Sequence, residues 1–130
     1  MRRVLLLAVA AALVACTASY AHHSYASTYD ASKQVNLKGK VVQFIFRNPH
    51  SFVHVQAADD NGAQQRWAVE WSGVSQLGNQ GLNSQSLHIG DEVVIMARPS
   101  RVAGEYRALM VTLKRPSDGF TWGTKGEAVD

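Results

Sequence analysis

Hydrophobic and polar residues alternate along most of this chain with a period of two. Val35 to Phe46 (VNLKGKVVQFIF) opens the pattern. It is rich in β-branched and aromatic residues and predicts a long strand, bent at Gly39. Arg47-Asn48-Pro49-His50 is a turn, because Asn-Pro starts turns and Pro49 has no N–H to give to a sheet ladder. Phe52 to Ala57 predicts a second strand, and Asp59-Asp60-Asn61-Gly62 a hairpin turn. Gln64 to Trp71 (QQRWAVEW) predicts a third strand, with Trp67, Val69 and Trp71 on one face and Arg66, Ala68 and Glu70 on the other.

The alternation stops at Gly73 to Ser86, where a glycine- and glutamine-rich stretch leaves room for one short helix around Val74 to Leu77. Leu87-His88-Ile89-Gly90-Asp91 then turns the chain into a fourth strand, Glu92 to Arg98. After a loop from Pro99 to Glu105, Tyr106 to Leu113 predicts a fifth. Three strands, a short helix and two strands is the element order of a five-stranded OB-like barrel, an all-β fold with a small α component. Helix-rich folds are excluded by the dominance of period-2 runs. The barrel domain is assigned to residues 22–115, and 116–130 reads as a flexible, glycine-rich C-terminal tail. Residues 22–34 (HHSYASTYDASKQ) are polar, carry two tyrosines and read as an extended lead-in.

The first residues are of another kind. Arg2 and Arg3 precede an unbroken apolar run, Val4 to Val14, and Ser19 and Ala21 are small residues three before and one before a cleavage point. This is the anatomy of a signal peptide spanning 1–21 and predicts a periplasmic or secreted protein. The run is well short of the ~20 residues of a transmembrane helix. Cleavage after Ala21 leaves 109 of the 130 residues, one small domain, and lowers the formal charge from +3 to +1. The basic precursor is therefore no argument for a nucleic-acid partner, whose binding rests on phosphate neutralisation. A second cut competes with the first. Leu13-Val14-Ala15-Cys16 resembles the sequence before a lipidated cysteine, which would anchor the chain as an outer-membrane lipoprotein. Cys16 is the one cysteine, so the soluble mature form has no disulfide and depends on a packed core.

Several short pieces recur as a set: His22-His23-Ser24-Tyr25, Tyr29-Asp30, Gly39-Lys40-Val41, Asn48-Pro49-His50, Trp67-Ala68-Val69-Glu70 and Leu87-His88-Ile89-Gly90-Asp91. Together they resemble a family of small exported bacterial proteins of unknown function. The resemblance covers nearly all of the mature region and implies a periplasmic or secreted OB-like domain. It brings no activity with it, and Cys16 lies outside the shared pattern.

Five histidines, His22, His23, His50, His54 and His88, carry the candidate chemistry. Cleavage after Ala21 gives His22 a free amine beside its imidazole. Amine and Nδ1 can chelate one ion, and a second histidine completes a histidine brace, whose near-planar nitrogen set suits Cu(II). His50, at the end of the Asn-Pro turn, is the first candidate for the remote ligand and His54 the second. On one continuous strand they would lie about 13 Å apart and could not share an ion. His23 is an alternative ligand through its backbone amide or Nδ1. The expected metal sites are therefore His22, His23, His50 and His54, with copper as the cofactor. Set against this, a solvated terminus accounts for His22-His23, a backbone-bonded turn residue for His50, and a turn residue for His88.

Met96, Met110, Trp67 and Trp71 are the residue types of a Cu(I) chaperone, but at period 2 inside apolar strands they are better read as core. Glu70 is an acid inside a strand. It reads either as a partner of Arg66 on the polar face or as a carboxylate orienting a histidine. No Gly-x-Ser-x-Gly, His-Glu-x-x-His, CxxC or phosphate-cradling glycine loop is present. The resulting expectation is a small exported copper-binding protein for metal carriage or buffering, more a binder than an enzyme. The alternatives are a barrel that binds a small ligand or a periplasmic protein partner without metal, and a lipoprotein anchored at Cys16.

Overall fold

The computed structural model describes Met1 and residues 25–123. Its elements are β1 (Val35–Ile45), β2 (Phe52–Ala58), β3 (Gln64–Glu70), α1 (Val74–Asn79), β4 (Glu92–Pro99), β5 (Arg107–Arg115) and β6 (Phe120–Gly123). Alternation dictates the faces. On β2, Val53, Val55 and Ala57 are buried while Phe52, His54 and Gln56 are partly exposed. The β2–β3 hairpin pairs Phe52 with Glu70 and Ala58 with Gln64. It turns at Asp59, whose Oδ1 accepts hydrogen bonds from the Asn61 and Ala63 amides.

β1 is long enough to serve two neighbours. Its first half pairs with β4 and its second with β2, and a bulge lies between Val41 and Gln43. Gly39 pairs on both sides. A Cβ there would sit 2.0 Å from the Gln56 carbonyl oxygen, so no larger residue fits where the strand wraps around the barrel. β4 runs antiparallel to β5, and the start of β5 pairs in parallel with β3, from Ala68–Arg107 to Glu70–Leu109. That pairing closes a five-stranded barrel and removes its open edges.

The core sits inside the barrel, around Leu37, Val55, Val69, Ile95 and Leu113. Leu77 of α1 and Leu82 and Leu87 of the following connection join it, which explains why so short a helix is stable: it is held by its buried leucine. Trp67 and Trp71 point inward as the period-2 pattern expects, and their indole N–H groups are buried without a partner among the described residues.

Two segments depart from the sequence expectation. Residues 120–123, within the stretch read as tail, form β6 and pair with the second half of β5. Residues 124–130 lie outside the described residues. The lead-in is not extended throughout. Residues 25–28 make a helical turn, with the Tyr29 amide bonded to the Tyr25 carbonyl at 2.8 Å. Tyr29, 1 % exposed, forms a bridge to Ser100, and flanking bonds join Asp30 to Pro99 and Arg101 to Thr28. An aromatic residue in a polar segment is thus tied by its backbone to the β4–β5 loop, while its buried side chain meets Glu70 and Arg107. Among the described residues no helix is long and apolar enough to cross a membrane.

Candidate functional site

The site begins with the turn between β1 and β2. Arg47 to Ser51 folds back on itself because the Ser51 hydroxyl accepts from the Arg47 amide and donates to the Arg47 carbonyl, both at 3.2 Å. The Asn48–Pro49 peptide is cis. Ser51 also ladders onto the end of β3: its amide donates to the Ser72 carbonyl at 3.1 Å, and the Trp71 amide donates to its carbonyl at 2.8 Å. Gly73 lets the turn lie flat against the entry to α1. A Cβ there would be 2.5 Å from the Pro49 carbonyl oxygen and 2.7 Å from Asn48 Oδ1. This clamp presents His50 beside the end of β3.

There it meets Glu70. Register places Phe52 opposite Glu70 on the outer face of the barrel, so His50, two residues earlier, shares that face. Glu70 is nevertheless 4 % exposed, because the N-terminal segment covers it. Its carboxylate faces three donors. His50 Nδ1 lies 2.5 Å from Oε1 and Arg107 Nη2 lies 2.8 Å from Oε2, while the Tyr29 hydroxyl also donates to Oε2. Arg107 Nε donates in turn to the Tyr29 hydroxyl at 2.8 Å. Arg107 comes to this place through the parallel β3–β5 pairing and Tyr29 through its bridge to Ser100.

Burial alone would push the Glu70 carboxyl up, but the hydrogen bonds from Tyr29 and Arg107, the Arg107 charge and the His50 bond outweigh it, so the pKa is lowered. The carboxylate is therefore an acceptor, and the His50 proton belongs on Nδ1. In the neutral imidazole Nε2 then presents its lone pair. The Tyr25 hydroxyl, 2.8 Å away, occupies it, with the two rings stacked at 5.1 Å and 27°. Burial and the Glu70 charge raise the Tyr25 pKa and hold its phenol protonated.

Chemically, a carboxylate on one ring nitrogen fixes the tautomer and turns the other nitrogen into a directed base or metal ligand. The same carboxylate–imidazole–hydroxyl order occurs in nucleophilic sites, but a phenol whose pKa is raised is not an activated nucleophile. Around the imidazole, Arg47 and Arg107 both lie over the Phe52 ring, at 5.8 and 5.7 Å from its centroid.

The other expected ligands fall elsewhere or beyond the described residues. His54 Nδ1 accepts from Arg66 Nε at 3.3 Å in a separate cluster that includes Gln43. Burial and then the Arg66 charge lower its pKa. Arg66 is thus engaged by Gln43 and His54, and the expectation that it pairs with Glu70 is not what the strand geometry gives. Four residues apart on an extended strand, the two Cα atoms are about 13 Å apart. The orienting role for Glu70, toward His50, is the contact found. His88 lies exposed in the turn before β4, its amide bonded to Asp91. Met96 and Met110 are buried, and Trp71 is sealed in the core. His22 and His23 lie outside the described residues. Among the described residues, no three histidine, cysteine or acidic side chains gather as a metal-holding group.

Arg107 was not singled out by sequence, and Tyr25 and Tyr29 stood among the short shared pieces with no role assigned to them. The one available signal was the pair of tyrosines four apart in a polar segment, a spacing that places both on one side of a helical turn.

Fold and site together define a small OB-like β-barrel with a buried carboxylate bonded to a half-buried histidine beneath its N-terminal segment. The chain belongs to the DUF6152 family, a family of unknown function, whose profile matches residues 10–108. No curated protein matches the chain. No solved structure matches it either.

Proposed function

We propose that the mature protein is an exported copper-binding protein that carries or buffers the metal. Cleavage after Ala21 frees the His22 amine. That amine and the His22 imidazole bind Cu(II), and His50 Nε2 completes the set. His23 is the alternative donor at the terminus, and His54, in its separate cluster with Arg66, is the less favoured remote ligand. The observation that carries this reading is the Glu70–His50 contact of 2.5 Å, which aims Nε2 at the N-terminal segment. Orientation of an imidazole by a carboxylate on its far nitrogen is the usual support of a metal-binding histidine. Tyr25, which touches that Nε2, is three residues after His22 in the chain.

The test is a Cu(II) titration of protein recovered after export, with intact mass defining its first residue. One copper retained by a chain starting at His22, with at least tenfold weaker binding in His22→Ala and His50→Ala, is the expected result. A chain starting at a lipidated Cys16, or His22→Ala binding Cu(II) as tightly as the parent, removes the brace.

A second reading, a barrel that holds a small ligand or a protein partner without metal, rests on a different observation. A groove of about 590 Å³ lies where the β2–β3 hairpin, the start of β1 and the β4–β5 loop meet. Trp67 and Tyr106 contribute to its wall, packed edge to face at 5.2 Å. Its size suits a small molecule.

A further inference from the structure

The groove between the β2–β3 hairpin, the start of β1 and the β4–β5 loop has a lining that selects its ligand. Leu37 and Trp67, both buried core residues, also reach its wall, so it opens onto one end of the barrel interior. Barrel mouths are frequent ligand sites, and a volume of about 590 Å³ is in their usual range. The half-buried ring of Tyr106 stands against Trp67 on the wall. Around it lie four exposed polar side chains: Asp60 and Asn61 at the hairpin tip, Glu105 on the loop and Asn36 on β1. Carboxylates only accept hydrogen bonds, whereas carboxamides both donate and accept. The Trp67 indole N–H is one more donor, buried and without a partner among the described residues. No arginine lines the groove, and its one cation, Lys33, is paired with Asp30 at 3.6 Å. A phosphate or carboxylate ligand would therefore meet carboxylates with little to neutralise it. A purely apolar ligand would cover these acids and amides and leave them unbonded. A ring carrying several hydroxyls suits every part of the lining: its C–H face stacks on the aromatic wall, and its hydroxyls donate to the carboxylates and accept from the carboxamides. From this lining, and resting on the reading of the barrel as the holder of a small ligand, we infer that the groove is a binding site for a neutral saccharide.

The walls are set in place before any ligand arrives. Asp59 accepts from the Asn61 and Ala63 amides, which fixes the hairpin tip, and from the Tyr106 hydroxyl at 3.2 Å, which fixes the ring of the wall. On the opposite rim the Ser100 hydroxyl donates to Glu105 and accepts from the Val102 amide at 3.1 Å. Ser100 is itself tied to Tyr29 by the bridge that holds the N-terminal segment. Such bracing lowers the ordering cost of binding. Asp60 differs from Asp59: it is exposed, and no hydrogen bond or ion pair holds it among the described residues. Its carboxylate is free to meet a hydroxyl.

The experiment is a titration of the nitrogen-15-labelled exported protein, followed by proton–nitrogen NMR. The probes are maltotriose, cellotriose and tri-N-acetylchitotriose, with spermidine as the cationic comparison and citrate as the anionic one. At least one of the sugars is expected to bind with a Kd of about 1 mM or tighter. It moves the amide signals of the hairpin tip and the β4–β5 loop together with the indole N–H signal of Trp67, identified by its loss in Trp67→Phe. Asp60→Ala removes a carboxylate that holds nothing in the fold and is expected to weaken that sugar about tenfold, the size of one hydrogen bond to a charged acceptor. Sugar-induced shifts that spare the groove overturn the proposal, as does an Asp60→Ala affinity equal to the parent's. If spermidine or citrate moves the groove signals and no sugar does, the ligand-binding reading stands and the saccharide assignment alone fails. If no probe moves them, both fall.

Discussion

Glu70→Gln tests the centre of the site without any metal. Glutamine keeps the volume of the side chain but replaces two acceptor oxygens with one oxygen and one NH₂. The native carboxylate accepts from His50, Arg107 and Tyr29. A hydrogen bond to a charged group is worth roughly 1.5–3 kcal/mol and a neutral one about 1 kcal/mol. Loss of the charge therefore removes about 1 kcal/mol per bond, or about 3 kcal/mol for the three. Arg107 and His50 side chains are 38 % and 35 % exposed, so water restores part of this at both. The net cost comes to about 2 kcal/mol, or roughly 10 °C in melting temperature for a domain of this size. Urea or thermal denaturation reads it. The variant also makes a qualitative prediction. If the glutamine oxygen stays with Arg107 and Tyr29, its NH₂ faces His50 Nδ1 and forces the ring proton onto Nε2, which then donates to the Tyr25 oxygen. Nitrogen-15 NMR of the imidazole distinguishes the two tautomers: Nδ1–H in the parent, Nε2–H in the variant. A loss below about 0.5 kcal/mol, the size expected of an ordinary surface change, refutes the argument, as does an Nε2–H tautomer in the parent.

Two further outcomes follow from the clamp and from the acidic groups. Gly73→Ala forces a methyl group against the Pro49 carbonyl and Asn48, and is expected to cost about 1–3 kcal/mol and to shift the His50 resonances; unchanged stability would show that the turn yields freely. Arg115 bonds both Asp91 and Asp118. Burial would raise the Asp91 pKa, but the His88 amide and Arg115 outweigh it, and Asp118 is lowered first by its Arg115 bond. Both bind protons less readily folded than unfolded, so their stabilisation is complete above the ordinary value of 3.8 and is lost as pH falls through the lower folded values. Arg115→Met is expected to flatten this acid limb of the stability curve; superimposable limbs in parent and variant would sink the assignment.

The strands were legible in the sequence because each is a local property. Val53, Val55 and Ala57 alternate with polar neighbours, and Asp59 to Gly62 carries its own turn chemistry, so the hairpin register needs no distant residue. The order of three strands, a helix and two strands likewise identifies the barrel, since few closed arrangements accommodate it. β6 was less legible, because Phe120 to Gly123 is too short for alternation to register and is held by pairing with β5. The histidine at position 50 could be nominated from its turn, and Glu70 from its place within a strand.

What lay beyond the sequence was who meets whom. Glu70 takes its donors from His50, Tyr29 and Arg107, which are 20, 41 and 37 residues away along the chain. None of those distances is encoded in a period or a turn. They arise because closure of the barrel brings the start of β5 alongside β3, and because the backbone of a tyrosine in a polar segment bridges to the β4–β5 loop. By itself the sequence determined an alternating β-barrel with candidate imidazoles. Tertiary structure decided which imidazole is oriented by a buried carboxylate and which hydroxyl stands in front of it. Such contacts depend on the summed packing of the whole domain, not on the residues next to them in the chain.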